Sequence, residues 1–157
     1  MPTFKRHILD DEGQQKSVKS LQKCLYNLID LALQGKQAHW NVVGANFRSI
    51  HLQLDEIIES ARVASDEVAE RIVTLTASAD GRPSEVAKNS LLSDYPKGLK
   101  NVDETVTLIA ERLQATINCM RESIEELDDV DLVSQDLLIT ASASLEKHFW
   151  MVQAQEI

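Results

Sequence analysis

The chain has 157 residues, a formal net charge of −9, 43% hydrophobic and 4% aromatic residues, and only five glycines and three prolines. That length suits one domain with an ordinary core, and the shortage of aromatics, Gly and Pro disfavours a sheet-rich, turn-rich fold. The negative charge opposes broad attraction to DNA or an anionic membrane, while the charged N-terminus and the lack of any long apolar run point to a soluble cytoplasmic protein.

Residues 1–15 are expected to form an N-terminal arm. From roughly residue 16 to 40, Val18, Leu21, Leu25, Leu28, Ala32, Gly35 and His39 recur at spacings of three and four, one stripe of a helix. A turn at Val43-Gly44-Ala45-Asn46 leads to a second helix, capped by Asn46 and running from Phe47 to about Ala77, with Ile50, Leu54, Ile57, Ala61, Ala64, Val68, Ile72 and Leu75 along its seam. Pro83 to Asn89 fits a short helix within a long connection, bounded by Gly81-Arg82 and Tyr95-Pro96-Lys97-Gly98. A third long helix carries Val102, Val106, Ile109, Leu113, Ile117, Met120, Ile124 and Leu127, with Asn101 and Glu104 spaced as a capping box. Asp128-Asp129-Val130-Asp131 interrupts the rhythm before a fourth, with Leu137, Leu138, Ala141, Leu145, Phe149 and Val152. The pattern predicts an all-α four-helix bundle with one crossover. Cys24 and Cys119, far apart and without C-x-x-C spacing, are expected as buried thiols and not as a disulfide or redox pair.

The second helix also carries His51, Asp55, Arg62, Asp66 and Glu70 in a stripe beside its core seam. His51 and Asp55 differ by about 40° in azimuth, as do Asp66 and Glu70, yet His51 and Asp66 are about 22 Å apart along the axis. One straight helix cannot close them on one ion. Two copies crossing antiparallel about a dyad between Ser60 and Ala61 bring residue 51 level with 70 and residue 55 level with 66, and small residues at the dyad are expected to permit close approach. His39 is then positioned to complete each set. Taken singly, His39 fits a hydrogen-bonded core histidine, His51 an interface residue, and the three acids a solvated face. Their joint placement points to a metal site, and two imidazoles with three carboxylates suit Fe(II), with Zn(II), Mn(II) and Co(II) as competitors.

The run Lys36-Gln37-Ala38-His39-Trp40-Asn41-Val42-Val43-Gly44-Ala45-Asn46-Phe47, together with His51, Asp55, Asp66-Glu67-Val68-Ala69-Glu70-Arg71, Leu132-Val133-Ser134-Gln135-Asp136-Leu137-Leu138 and Leu145-Glu146-Lys147-His148-Phe149-Trp150, closely resembles the Dps family over nearly the whole chain. The resemblance implies a single ferritin-like domain over residues 1–157. It also implies a hollow homododecamer that oxidises Fe(II), preferentially with hydrogen peroxide, and stores a ferric mineral, a protection against oxidative stress. His39, His51 and Asp55 would come from one subunit, with Asp66 and Glu70 from its two-fold mate. Trp40 and Trp150 are then candidates for oxidisable residues beside the site, although packing is the first reading of Trp150, and Lys36 is a candidate contact to a ligating carboxylate. Asp128, Asp129, Asp131 and Asp136 are candidates for an acidic three-fold iron-entry pore, with helix capping as the competing role.

The sequence departs from the DNA-binding members. Only Lys5, Arg6 and His7 precede an acidic cluster, and the C-terminus has no basic residue, so DNA binding is expected to be weak or absent and nucleoid association limited to avidity. The competing readings are a DNA-condensing architectural protein and a metal-dependent amide hydrolase, the latter without any specific motif.

Overall fold

The computed structural model describes residues 4–156. Helix α1 spans Asp11–Asn41, β1 is the two-residue strand Val42–Val43, α2 spans Phe47–Thr74, α3 spans Pro83–Asn89, β2 is Lys100–Asn101, α4 spans Val102–Glu126 and α5 spans Leu132–Gln153. The fold is all-α, with four long helices and the short α3 inside the connection between the second and third of them.

Helix α1 starts earlier than its apolar stripe indicated, taking up residues 11–15 of the expected arm. The cause is local. The Asp10 side chain accepts from the Gly13 amide at 2.8 Å, and Asp11 and Glu12 sit in the first turn, where the helix dipole favours negative charge. At the other boundary Asn101 caps α4 as its spacing predicted, accepting from the Glu104 amide at 2.8 Å. Asn46 precedes α2 without making a side-chain cap.

The apolar stripes face one another. Leu21, Leu28 and Leu31 of α1, Ile50, Leu54, Ile57, Ile58 and Ile72 of α2, Ile109, Leu113 and Met120 of α4, and Leu138 and Leu145 of α5 are all at most 1% exposed. Each contributes about 1.5–3 kcal/mol by leaving water. Helix α1 packs on α2 and α4, and α5 packs on α4 and α2. Every one of these neighbouring pairs is antiparallel, because the crossover returns the chain to the end of the bundle where α1 finishes. There β1 and β2 pair in parallel, Val42 with Lys100 and Val43 with Asn101.

Without a regular lattice of its own, the crossover has its backbone groups satisfied by side chains from the bundle. Gln22 exchanges two bonds with the Asp80 backbone, and the Asn27 carbonyl oxygen accepts from the Leu91 amide. Buried Arg112 donates to the carbonyls of Ser93 and Asp94 and to Gln34, with its guanidinium 5.4 Å from the Tyr95 ring centre. Helices α1 and α2 approach closely at Gly35, where an added Cβ would lie 2.8 Å from the Ile58 side chain. That contact is one turn from His39.

Candidate metal centre

His39, in the last turn of α1, is buried, and His51 lies one turn into α2. Their rings stack at 3.6 Å between centroids with planes 21° apart. Each imidazole bonds the backbone of the other residue: His39 Nδ1 lies 2.8 Å from the His51 carbonyl oxygen, and His51 Nδ1 lies 2.9 Å from the His39 carbonyl oxygen. A carbonyl only accepts, so both Nδ1 atoms carry the proton and both Nε2 atoms of the neutral rings keep a lone pair. This is the tautomer that a histidine ligating through Nε2 requires, and the bonds at Nδ1 fix the orientation of both rings.

Asp55 follows one turn after His51. Its Oδ1 lies 2.6 Å from Lys36 Nζ and 3.4 Å from His39 Nδ1. The bond from the Lys36 ammonium, aided by His39 and His51, holds the Asp55 carboxyl below its usual range. Lys36 thus contacts the carboxylate of a candidate ligand. Phe47 packs edge-on to His51 at 6.1 Å.

Asp66 and Glu70 are exposed on the distal half of α2, and Glu70 lines a groove with Glu67, Arg71, Thr74, Leu137 and Thr140. They do not join the histidine end within one chain. Among the described residues no three His, Cys, Asp or Glu side chains are gathered in a position to hold a metal ion. The axial rise of the helix accounts for the separation.

One expectation about the dyad fails. Ala61 is fully buried in its own bundle, and Ser60 Oγ bonds His148 Nε2 of α5 at 2.8 Å, so the small residues point away from the ligand stripe. Glu59 and Arg62 are the exposed residues closest to the midpoint of that stripe. Burial holds the His148 imidazole below its usual range, offset in part by Glu56 and reinforced by Lys147.

The two tryptophans are mostly exposed, Trp40 at 69% and Trp150 at 61%, so packing in the subunit core does not explain Trp150. Of the four pore candidates, Asp128, Asp129 and Asp136 are exposed, and Asp129 adopts a left-handed backbone with φ 59°. Asp131 differs. It is buried at the start of α5, with Arg71 Nη2 at 3.0 and 3.1 Å from its carboxylate oxygens and Ser134 Oγ bonded to it. Burial raises the Asp131 carboxyl, but Ser134 and Arg71 together outweigh it and hold the group below its usual range. Its charge is therefore spent on Arg71. Nor is Asp131 a side-chain cap for α5.

The sequence reading found the imidazoles but not the carbonyls that orient them, because a backbone acceptor has no residue identity to read. Among the described residues no helix is long and apolar enough to cross a membrane.

A ferritin-like domain model matches residues 18–156. The DNA protection during starvation protein of Mycolicibacterium smegmatis is 40% identical over 154 residues, covering 98% of this chain and 84% of that protein. The tetragonal form of Mycobacterium smegmatis Dps superposes with a TM-score of 0.92 at 40% identity, over 99% of this chain and 94% of that one. The high-iron form of Dps from Microbacterium arborescens gives a TM-score of 0.91 at 32% identity, over 96% and 98%. With the bundle, the crossover helix and the histidine pair all in place, the chain belongs to the Dps family of ferritin-like proteins, a family of iron-related stress protection.

Proposed function

We propose that the chain assembles into a hollow homododecamer that takes Fe(II) as substrate, oxidises it with hydrogen peroxide in preference to dioxygen, and stores the ferric product inside. The observation that carries this reading is the reciprocal bonding of His39 and His51 to each other's carbonyls, which leaves both Nε2 lone pairs uncommitted, with the Asp55 carboxylate one turn further along α2 and 3.4 Å from His39 Nδ1. Two imidazoles and one carboxylate form half of a site. Asp66 and Glu70 of a second copy supply the other half, brought level by antiparallel crossing of α2 about the midpoint of the stripe. The stripe winds around α2 by about 100° between His51 and Glu70, so the two helices cross at an angle.

Each residue then has a defined task. The imidazoles and carboxylates hold Fe(II) while leaving room for oxidant, and acidification weakens binding because protons compete for the imidazole nitrogens. Lys36 neutralises Asp55 until the dication arrives. Peroxide accepts two electrons and its oxygen–oxygen bond breaks, so drawing them from two ferrous ions avoids release of hydroxyl radical. Trp40, next to His39, and Trp150 are indoles able to give up an electron when iron is short. Asp128, Asp129 and Asp136 concentrate Fe(II) at a three-fold entrance, where Asp131 acts through its bond to Arg71 as a structural support. Twelve copies carry a formal charge of about −108, which opposes DNA and keeps its association weak.

The test is anaerobic Fe(II) titration followed by peroxide, with sizing of the assembly, on the wild type, on His51→Ala and on the Asp66→Asn/Glu70→Gln double variant. Wild type oxidises Fe(II) far faster than buffer, and either variant alone loses about 100-fold. Co-assembled in equal amounts, the two variants regain about a quarter of wild-type activity, because each mixed two-fold pair contains one intact site. A wild type that neither binds nor oxidises Fe(II) faster than buffer overturns the function, and mixtures as inactive as their components overturn the shared site.

A further inference from the structure

Away from the iron ligands, the seam between α1 and α4 brings together the two cysteines that are 95 positions apart in the chain. Both are free and buried. The seam is narrow because its residues are small: Ser123 Oγ lies 3.4 Å from the Ser20 carbonyl oxygen, and Cys24 Sγ lies 3.2 Å from Ser123 Oγ and 4.0 Å from the backbone oxygen of Cys119. An α1 side chain therefore touches the α4 backbone at the Cys119 position itself. Asn27, one turn along α1, is fully buried. Its carbonyl oxygen is taken by the Leu91 amide, while among the described residues its Nδ2 has no hydrogen-bonding partner in the ordinary geometry. The Asn27 side chain is among the groups that lower the nearby Cys119 thiol. A buried donor left over in this way costs about 1–3 kcal/mol unless an acceptor is supplied. A thiolate, or an oxygen added to that sulfur, supplies one.

We propose that Cys119 and Cys24 form a peroxide-responsive pair, with Cys119 the sulfur attacked first and Cys24 the sulfur that resolves it into an intrachain disulfide joining α4 to α1. In the first step the Cys119 thiolate attacks one oxygen of hydrogen peroxide. The sulfur–oxygen bond forms, the oxygen–oxygen bond breaks, and the departing hydroxide takes up a proton to leave as water. In the second, Cys24 sulfur attacks the resulting sulfenic sulfur, the sulfur–sulfur bond forms, and the hydroxyl leaves as water with the Cys24 proton. Two thiols are oxidised by two electrons and one peroxide is reduced to two waters.

The order of the sulfurs follows from their surroundings. The Cys24 thiol donates to Cys119, and with Lys23 and Asn27 this holds the Cys119 thiol below its usual range against burial. The same bond, with burial, pushes Cys24 up, so it stays a thiol until called on. Burial also selects the oxidant, since a molecule the size of peroxide can enter a packed seam where a glutathione disulfide cannot.

The experiment exposes the assembled, chelator-treated protein to hydrogen peroxide, so that iron takes no part. Remaining thiols are then blocked after denaturation and the peptides mapped by mass spectrometry. The wild type is expected to lose both thiols together and to yield one peptide pair, two hydrogens lighter, joining the Cys24 and Cys119 segments. Cys24→Ser stops at a sulfenic acid on Cys119, trapped by dimedone, whereas Cys119→Ser keeps Cys24 reduced. Oxidised glutathione in place of peroxide leaves both thiols free. The proposal is overturned if wild-type thiols stay fully alkylatable after peroxide, if the bridge forms between chains, or if Cys119→Ser loses Cys24 as fast as the wild type. The wild-type mapping decides even where a variant does not fold, and its outcome is independent of Fe(II) oxidation.

Discussion

The two ends of α2 carry the two halves of one proposed site but are built on opposite principles. At the N-terminal end, His39, His51, Asp55 and Lys36 hold one another through crossed backbone bonds and a short ion pair, so geometry is set before any metal arrives. At the C-terminal end, Asp66 and Glu70 lie on an exposed face, and the neighbouring Arg71 reaches across to Asp131 and Ser134 of α5. One half is preorganised by its own ligands and the other only by the placement of its helix. Preorganised donors bind more tightly because the ordering cost is met during folding.

This contrast can be broken from either side. The largest effect is expected from Arg71→Leu, which leaves the Asp131 carboxylate buried without its counter-charge. Loss of one partner of a buried pair costs about 3–5 kcal/mol. Thermal or denaturant unfolding should show that loss, with Fe(II) binding falling through the misplaced Glu70 although no ligand has been changed. The next is Gly35→Ala, whose added methyl meets Ile58 at 2.8 Å and forces α1 from α2. Overpacking of this kind costs about 1–3 kcal/mol. It should also separate the stacked rings of His39 and His51, read as weakened Fe(II) affinity with the assembly intact.

The smallest effect sharpens the comparison. Lys36→Met removes the ammonium that lies on Asp55, freeing the carboxylate for a dication, and should raise Fe(II) affinity severalfold in a calorimetric titration near neutral pH. The sign of its pH effect is fixed. Asp55 titrates below its ordinary value of 3.8 in the folded chain. Its contribution to stability is therefore complete above that value and is lost as pH falls through the folded value. Lys36→Met should lose less stability across that acid window than the wild type, and by a small margin because Asp55 is half exposed.

Where sequence was a good guide, period was the reason. The apolar positions of α1, α2, α4 and α5 recur with helical spacing, and Pro83 with Asn89 bounds α3 as its flanking turn residues suggested. The ligand stripe was legible by the same arithmetic. The early start of α1 was not, since Asp10, Asp11 and Glu12 have no apolar rhythm and act through capping and the dipole. Nor was the fate of Asp131, whose partner Arg71 is 60 positions away. Axial position alone misassigned Ser60 and Ala61: both are level with the midpoint of the stripe, but azimuth turns Ala61 into the core and Ser60 toward His148. Cys24 and Cys119 are the buried free thiols that their spacing predicted, and the antiparallel α1–α4 packing brings them into contact across 95 positions.

The bond from His51 to the His39 carbonyl has a consequence for motion. His39 lies among the final carbonyls of α1, which no later helical amide reaches, so the imidazole of α2 finishes a helix to which it does not belong. Fraying of the α1 terminus and release of the His51 ring are thus one event. A dication bound at Nε2 in the proposed site would be linked to that event by mass action and would raise the free energy of opening in step with its occupancy. Amide hydrogen exchange around residues 41–46 is then a clock for metal occupancy, slowing as the site fills in a part of the chain that contributes no ligand.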